Sequence, residues 1–125
     1  MEEIVLQPCE WIIMEKLWAN NPKTMMELYN ELKVEKGWSK STVNTLLGRM
    51  IKKNIINYMV VEKTRHYIPL VERDTVAINE TSHLLERIYH GSVGMMLNTL
   101  IRHNTLDMED IKELHELLDR AVDKK

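Results

Sequence analysis

The spacing of hydrophobic and polar residues predicts three helices, then two short strands, then a helical tail. Apolar positions recur with helical period over residues 8–19, 24–37 and 39–54. The period then changes to alternation over residues 55–60, and a second strand-like run covers residues 67–71. A change from a period of 3.6 to a period of 2 indicates that the chain passes from helices into a hairpin.

Local signals place the ends of the first three helices. Pro8 suits the first turn of helix one, where its missing N–H costs nothing. Thr24 and Glu27 have the spacing of a capping box, so they predict the start of helix two. Ser39 is a suitable N-cap for helix three. Asn54 can adopt the left-handed conformation that ends a helix.

The third helix has two unlike faces. Its apolar stripe comprises Val43, Leu46, Leu47, Met50 and Ile51. The opposite face is small, polar and basic, comprising Ser41, Asn44, Thr45, Gly48 and Lys52, and no carboxylate occurs between Trp38 and Glu62. Gly48 costs roughly 1 kcal/mol against alanine inside a helix, so it suggests that a partner approaches the backbone there. Such a helix suits the major groove of DNA, although an ordinary amphipathic surface helix has a similar pattern.

The elements around this helix predict a winged helix-turn-helix. A short helix, a tight turn and a polar-faced helix form the helix-turn-helix, and two strands joined by a polar loop at 62–65 form a wing. Lys63 and Arg65 give that loop a positive charge, while Pro69 predicts that the second strand lies at an edge or near its end. A hairpin that only covers the core is the alternative. We therefore predict a mostly α (α+β) fold with a small two- or three-stranded sheet in residues 1–71.

The tail, residues 72–125, predicts three helices that form a dimerisation domain. The first runs to Tyr89 or His90 and stops at Gly91, and Asp107 caps the last. These helices have strong apolar stripes but too little chain of their own to cover them, so a second copy is predicted to do so. A monomeric two-layer domain is the alternative. The predicted dimer contacts are Val93, Met96, Leu97, Leu100, Ile101, Leu114 and Leu118.

Charge is spread unevenly although the formal net charge is only −2. Residues 36–65 contain seven Lys or Arg and one Glu, a balance of +6, whereas residues 72–125 contain seven Lys or Arg and eleven Asp or Glu, a balance of −4. This asymmetry predicts an anion-binding surface in the middle of the chain.

Composition also excludes several classes of protein. One cysteine excludes an internal disulfide and any cysteine-cluster metal site. No apolar run is long enough to cross a membrane, so a soluble cytoplasmic protein without membrane insertion is predicted. No nucleophile–base–acid set, phosphate loop or H-E-x-x-H pattern is present, so we predict no enzyme activity, no cofactor and no metal.

Four stretches of the chain resemble the penicillinase and methicillin-resistance repressors, the BlaI/MecI family, to which copper-responsive CopY-type repressors also belong. They are CEWIIMEKLW, WSKSTVNTLLGRMIKKN, IINYMVVEKTRHYIPLV and LNTLIRHNTLDMEDIKELHELLDRA. The resemblance covers nearly the whole chain. It implies a dimeric winged-helix repressor that binds a palindromic operator in double-stranded DNA through helix 39–53 and the wing, and that controls a β-lactamase or related resistance or cell-envelope operon.

The resemblance also implies roles for individual residues. Side chains in or beside the major groove would be Lys40, Ser41, Thr42, Asn44 and Thr45, with Thr42 and Asn44 contacting bases. Side chains that hold phosphates would be Arg49, Lys52, Lys63, Arg65 and Tyr67.

Induction is the property in which the chain departs most from this family. Inducible members are cut by a membrane sensor metalloprotease at an Asn-Phe bond, and the matching pair here is Asn98-Thr99; the chain contains no phenylalanine. The paired C-x-C motif of the CopY type is absent as well.

Two other functions remain open at this stage. One is a winged-helix module that binds a protein, which would require large apolar groups on the exposed face of helix three. The other is a metal sensor built from Cys9 and the five scattered histidines, without proteolytic induction.

Overall fold

The computed structural model describes residues 4–123, and its elements follow the predicted order. The helices are α1 (Pro8–Ala19), α2 (Met25–Lys36), α3 (Lys40–Lys52), α4 (Arg73–Tyr89), α5 (Val93–Arg102) and α6 (Met108–Asp123). The strands β1 (Ile56–Val61) and β2 (Thr64–Pro69) form an antiparallel two-stranded sheet between α3 and α4. The mostly helical winged helix-turn-helix is therefore confirmed.

The residues predicted to begin or end the first three helices lie at those ends in the structure. Pro8 is the first residue of α1. Thr24 and Glu27 form the reciprocal capping box of α2, and the N–H of Thr42 donates to Ser39 Oγ at 3.1 Å at the start of α3. Asn54 has a φ of 61°, in the left-handed region that reverses the chain after α3.

The hairpin is tighter than predicted. β2 begins at Thr64, three residues before the predicted run at 67–71, and Val61 pairs with Thr64 across a turn of only Glu62 and Lys63. Both turn residues have positive φ, 50° and 68°, as a two-residue hairpin turn of the primed kind requires. Neither is Gly or Asn, so the usual sequence signal for this turn is missing. The predicted loop at 62–65 was therefore wrong, and Arg65 lies on β2.

The core is built from residues between positions 6 and 76. One side of α3 packs inward through Val43, Leu46, Leu47 and Met50, which are all buried. They meet buried residues of the other elements, namely Ile13, Met14, Leu17, Leu28, Leu32, Ile55, Ile56, Tyr67 and Val76. The inward stripe predicted for α3 is thus confirmed, with Ile51 half-buried and packed against the same core. The polar face of α3 consequently points outward.

The chain divides into two compact units, one ending at Glu80 and the other beginning at Thr81. This division lies nine residues after the boundary drawn at 71/72. The beginning of α4 belongs to the first unit because Val76 is fully buried there and Glu80 Oε1 accepts hydrogen bonds from the Leu6 N–H at 2.9 Å and the Trp11 Nε1–H at 3.3 Å.

The second unit has no buried core within its described residues. No residue of α5 or α6 is buried, although both helices are strongly amphipathic. Asp107 caps α6 as predicted, accepting from the Asp110 N–H at 2.8 Å, and Gly91 follows α4 with a φ of 84°. These helices are thus well defined locally while their apolar faces stay partly open to solvent.

Candidate nucleic-acid interface

The outward face of α3 forms the centre of a polar, basic surface. Ser41, Thr42, Asn44 and Thr45 are exposed along its first two turns. Lys40 lies at its N-terminal end, and Arg49 and Lys52 lie near its C-terminal end, also exposed. All seven α3 residues predicted to contact DNA are therefore accessible together, since the apolar stripe occupies the other side of the helix.

Two open grooves flank this face, and Asn44 lines both. One, of about 340 Å³, lies between α3, the N-terminus of α2 and the wing, and is lined by Thr24, Met25, Met26, Asn44, Thr64, Arg65 and Tyr67. The other, of about 370 Å³, runs along α3 itself and is lined by Asn44, Thr45, Gly48, Arg49 and Lys52. Asn44 consequently projects between two channels that a partner could enter.

Gly48 leaves the second groove open down to the helix backbone. A Cβ atom built at Gly48 would meet nothing within 4 Å. No internal packing therefore requires glycine at this position. A need for glycine at this position would therefore come from a partner and not from the chain itself.

The wing adds a cation that is held in place. The Arg65 guanidinium lies over the Tyr58 ring at 4.3 Å from its centroid, a cation–π contact that restrains the long side chain. Arg65 also lines the first groove, together with Asn44. Lys63 is exposed at the turn. Beside these two cations the wing also exposes apolar side chains, because Met59, Val60 and Val61 each expose about half or more of their surface.

The start of α2 contributes polar groups at the edge of the first groove. Thr24 and Glu27 cap each other's backbone there, and these bonds from Thr24 lower the pKa of the Glu27 carboxyl below its ordinary value. Further along α2, Lys40 Nζ lies 5.5 Å from the Tyr29 ring centroid. The first turn of α3 is thereby held beside α2.

Tyr67 differs from the other nine residues assigned to DNA. It is 4% exposed and belongs to the core, its ring centroid lies 5.8 Å from that of Tyr58, and its backbone exchanges two hydrogen bonds with Lys23. It reaches the first groove only at its edge. A phosphate contact by Tyr67 remains a prediction, whereas its structural role follows from its burial.

Several residues of this surface escaped the sequence analysis. The sequence pattern gave Thr24 only a capping role, placed Thr64 in a loop, and gave Met25 and Met26 no contact with a partner. All four line the first groove. Lys53 received no role, yet its ammonium group pairs with the fully buried Glu10 at 2.7 Å. No local signal connects Glu10 to Lys53, because the two residues are 43 positions apart in the chain.

In the second unit, the residues predicted to form a dimer interface share partial exposure. Met96, Leu97, Leu100 and Leu114 are half-buried. Val93, Ile101 and Leu118 each expose about half of their surface. A shallow groove of about 440 Å³ is lined by Leu97, Leu100, Thr105, Leu106, Asp110, Glu113, Leu114 and Leu117. The groove therefore joins leucines of α5 and α6, and Asp110 and Glu113 also line it.

The Asn98-Thr99 pair lies inside α5, where both side chains are exposed. The Thr99 hydroxyl donates to the Met95 carbonyl at 3.1 Å. Within residues 4–123, no group of three His, Cys, Asp or Glu side chains is placed to hold a metal ion. In the same part of the chain, no helix has the length and apolar character needed to span a membrane.

Comparison with known proteins agrees with this architecture. The chain is 24% identical over 115 residues to the methicillin resistance regulatory protein MecI of Staphylococcus aureus, covering 92% of the chain and 94% of that protein. It is 25% identical over 120 residues to the penicillinase repressor of Bacillus licheniformis, covering 96% and 94% respectively.

One solved structure superposes on more than half of this chain. The solution structure of the DNA-binding domain of the repressor BlaI superposes with a TM-score of 0.54 at 26% identity, covering 60% of this chain and 93% of that domain. The family model described as penicillinase repressor matches residues 6–120, which includes both compact units. The chain therefore belongs to the penicillinase repressor family.

Proposed function

We propose that this protein is a cytoplasmic transcriptional repressor that binds a palindromic operator in double-stranded DNA as a homodimer. The outward face of α3 carries the proposal: it is polar and basic, it lacks carboxylates, and it lies between two open grooves. A protein-binding face would need large apolar groups, and the exposed residues of α3 include none.

The proposed contacts divide by chemistry. Asn44 and Thr42 read base edges in the major groove, because an amide and a hydroxyl can both donate and accept hydrogen bonds. Arg49 and Lys52 on α3, with Lys63 and Arg65 on the wing, hold phosphates and supply most of the affinity. Lys40, Ser41 and Thr45 complete the surface beside the groove.

Dimerisation is proposed from the open apolar surface of the second unit. Helices with strong apolar stripes and no buried residue gain stability when a second copy covers those stripes. A two-fold dimer would also present two copies of α3 to adjacent turns of DNA, which matches a palindromic site. The regulated genes are proposed to be a β-lactamase or a related resistance or cell-envelope operon, by likeness to MecI and the penicillinase repressor.

Proteolytic induction would require a change in the structure of α5. A membrane sensor metalloprotease acting at Asn98-Thr99 would need an extended segment, whereas this bond lies inside a helix, so α5 would have to open first. Incubation of the purified protein with such a protease, followed by mass spectrometry of the fragments, tests this step separately from DNA binding.

DNA binding is tested by fluorescence anisotropy with operator-like and unrelated duplexes at several salt concentrations. The affinity should fall steeply with salt because phosphate contacts release counterions. Asn44→Ala should cost about 1–3 kcal/mol and mainly reduce discrimination between sequences. Arg65→Gln should weaken binding to all sequences alike; a loss confined to the operator would contradict its phosphate role.

Dimerisation is tested by sedimentation of a Leu97→Asp, Leu100→Asp double variant. Charge on this surface should produce a folded monomer with weak operator binding. A variant that remains dimeric would reject this interface while leaving the DNA-binding surface of α3 untouched.

A further inference from the structure

Lys52 and Lys53 are adjacent in sequence, but their side chains have different surroundings. Lys52 is exposed and lines the groove along α3 with Asn44 and Gly48. Lys53 follows the last residue of α3, and its ammonium group donates to Glu10 Oε1 at 2.7 Å and to the Val5 carbonyl at 3.1 Å. The α3 end is thereby connected to the chain around the start of α1.

Glu10 is an unusual partner because it is charged and fully buried. Its Oε1 also accepts the Gln7 N–H at 2.8 Å, while its buried Oε2 has no hydrogen-bond partner in the described chain. A buried carboxylate is costly unless a cation and hydrogen bonds compensate it. Glu10 therefore holds the Lys53 ammonium strongly, and this lysine is poorly available to a phosphate.

We infer that the Glu10–Lys53 pair is a positioning device for α3, which sets the orientation of the recognition helix and hence discrimination between DNA sequences. This inference rests on the proposed function. The N-terminal end of α3 contacts α2 through Lys40 and Tyr29, and the Glu10–Lys53 pair holds the opposite end to the start of α1. Base readout requires hydrogen-bond geometry at the groove, whereas non-specific phosphate contacts tolerate small rotations of the helix.

The two lysines provide a matched test. Lys52→Met and Lys53→Met each remove one positive charge from neighbouring positions. Anisotropy titrations with an operator duplex and an unrelated duplex, over a range of salt, measure the discrimination ratio and the salt dependence together. Loss of a phosphate contact should reduce the slope of log K against log salt by about one.

We expect Lys52→Met to reduce the slope of log K against log salt by about one and to weaken binding to both duplexes by the same factor. Lys53→Met should leave the salt slope unchanged but lower the ratio of operator to unrelated affinity by about tenfold, the effect of one weakened base contact. Glu10→Met should reproduce that loss, and the Glu10→Met, Lys53→Met double variant should be no worse than either single variant. Lys53→Arg, which keeps a cation for Glu10, should retain the ratio.

Two results would overturn the inference. A reduced salt slope for Lys53→Met would make Lys53 a phosphate ligand. If folded Glu10→Met keeps the same ratio of operator affinity to unrelated-duplex affinity, the pair does not orient α3. If Lys53→Met fails to fold, Glu10→Met still decides, because Lys53 is partly exposed and can turn to water. Absence of any discrimination by the unaltered protein would instead refute the proposed function itself.

Discussion

Replacement of Gly48 by alanine should make the protein more stable and its DNA binding weaker. Gly48 is the ninth residue of the thirteen-residue helix α3, it is exposed, and an added Cβ would meet nothing within 4 Å. The full difference in helix propensity is therefore available, about 0.8–1.0 kcal/mol in favour of alanine. For a unit of this size that gain corresponds to a rise in melting temperature of roughly 4–8 °C.

The same methyl group would project into the groove lined by Asn44, Arg49 and Lys52. If DNA approaches the helix backbone there, the methyl group removes that space and affinity falls. Gly48→Leu separates the two effects, because leucine is nearly as good a helix former as alanine but much larger. Stability should thus change little from alanine to leucine, while the loss of affinity should grow.

Urea denaturation followed by tryptophan fluorescence measures the stability, since Trp11, Trp18 and Trp38 all lie in the first unit. Anisotropy with operator DNA measures the affinity. A stability gain without any loss of affinity, in both variants, would refute the reasoning that DNA approaches α3 at Gly48. A loss of stability would refute the reasoning that nothing inside the protein requires glycine there.

Three further outcomes are expected. Thr24→Ala should lower the free energy of unfolding by about 1 kcal/mol in the same urea assay, through loss of the α2 cap. The pKa of the Glu27 carboxyl is lower in the folded chain than in the unfolded chain, so the ionised group stabilises the fold above its unfolded pKa, and this contribution is lost as the pH falls through the folded pKa. Glu27→Gln should therefore reduce the decrease in unfolding free energy at acid pH. An unchanged pH dependence would contradict this reasoning. Tyr58→Leu should reduce DNA affinity by about 0.5–1 kcal/mol by freeing Arg65, and equal affinity would show that stacking is irrelevant.

Much of the fold was predictable because its signals are local. Helix caps depend on residues three apart, as at Thr24 and Glu27, and the apolar stripe of α3 depends on residues within two turns of one another. The hairpin turn at Glu62 and Lys63 was less predictable, since its positive φ values occur in residues that rarely adopt them. Pairing between strands, rather than the turn residues, determines that conformation.

By itself the sequence determined which faces are apolar, where helices begin and end, and that positive charge concentrates around α3. Only the tertiary structure decided which of the polar and charged side chains are available to a partner. Tyr67 moves into the core, Arg65 stacks on Tyr58, and Lys53 is held by Glu10 while Lys52 stays free to face the groove. The physical reason is that availability depends on contacts between residues far apart in the chain, which are made only when α1, α3 and the hairpin close around one core.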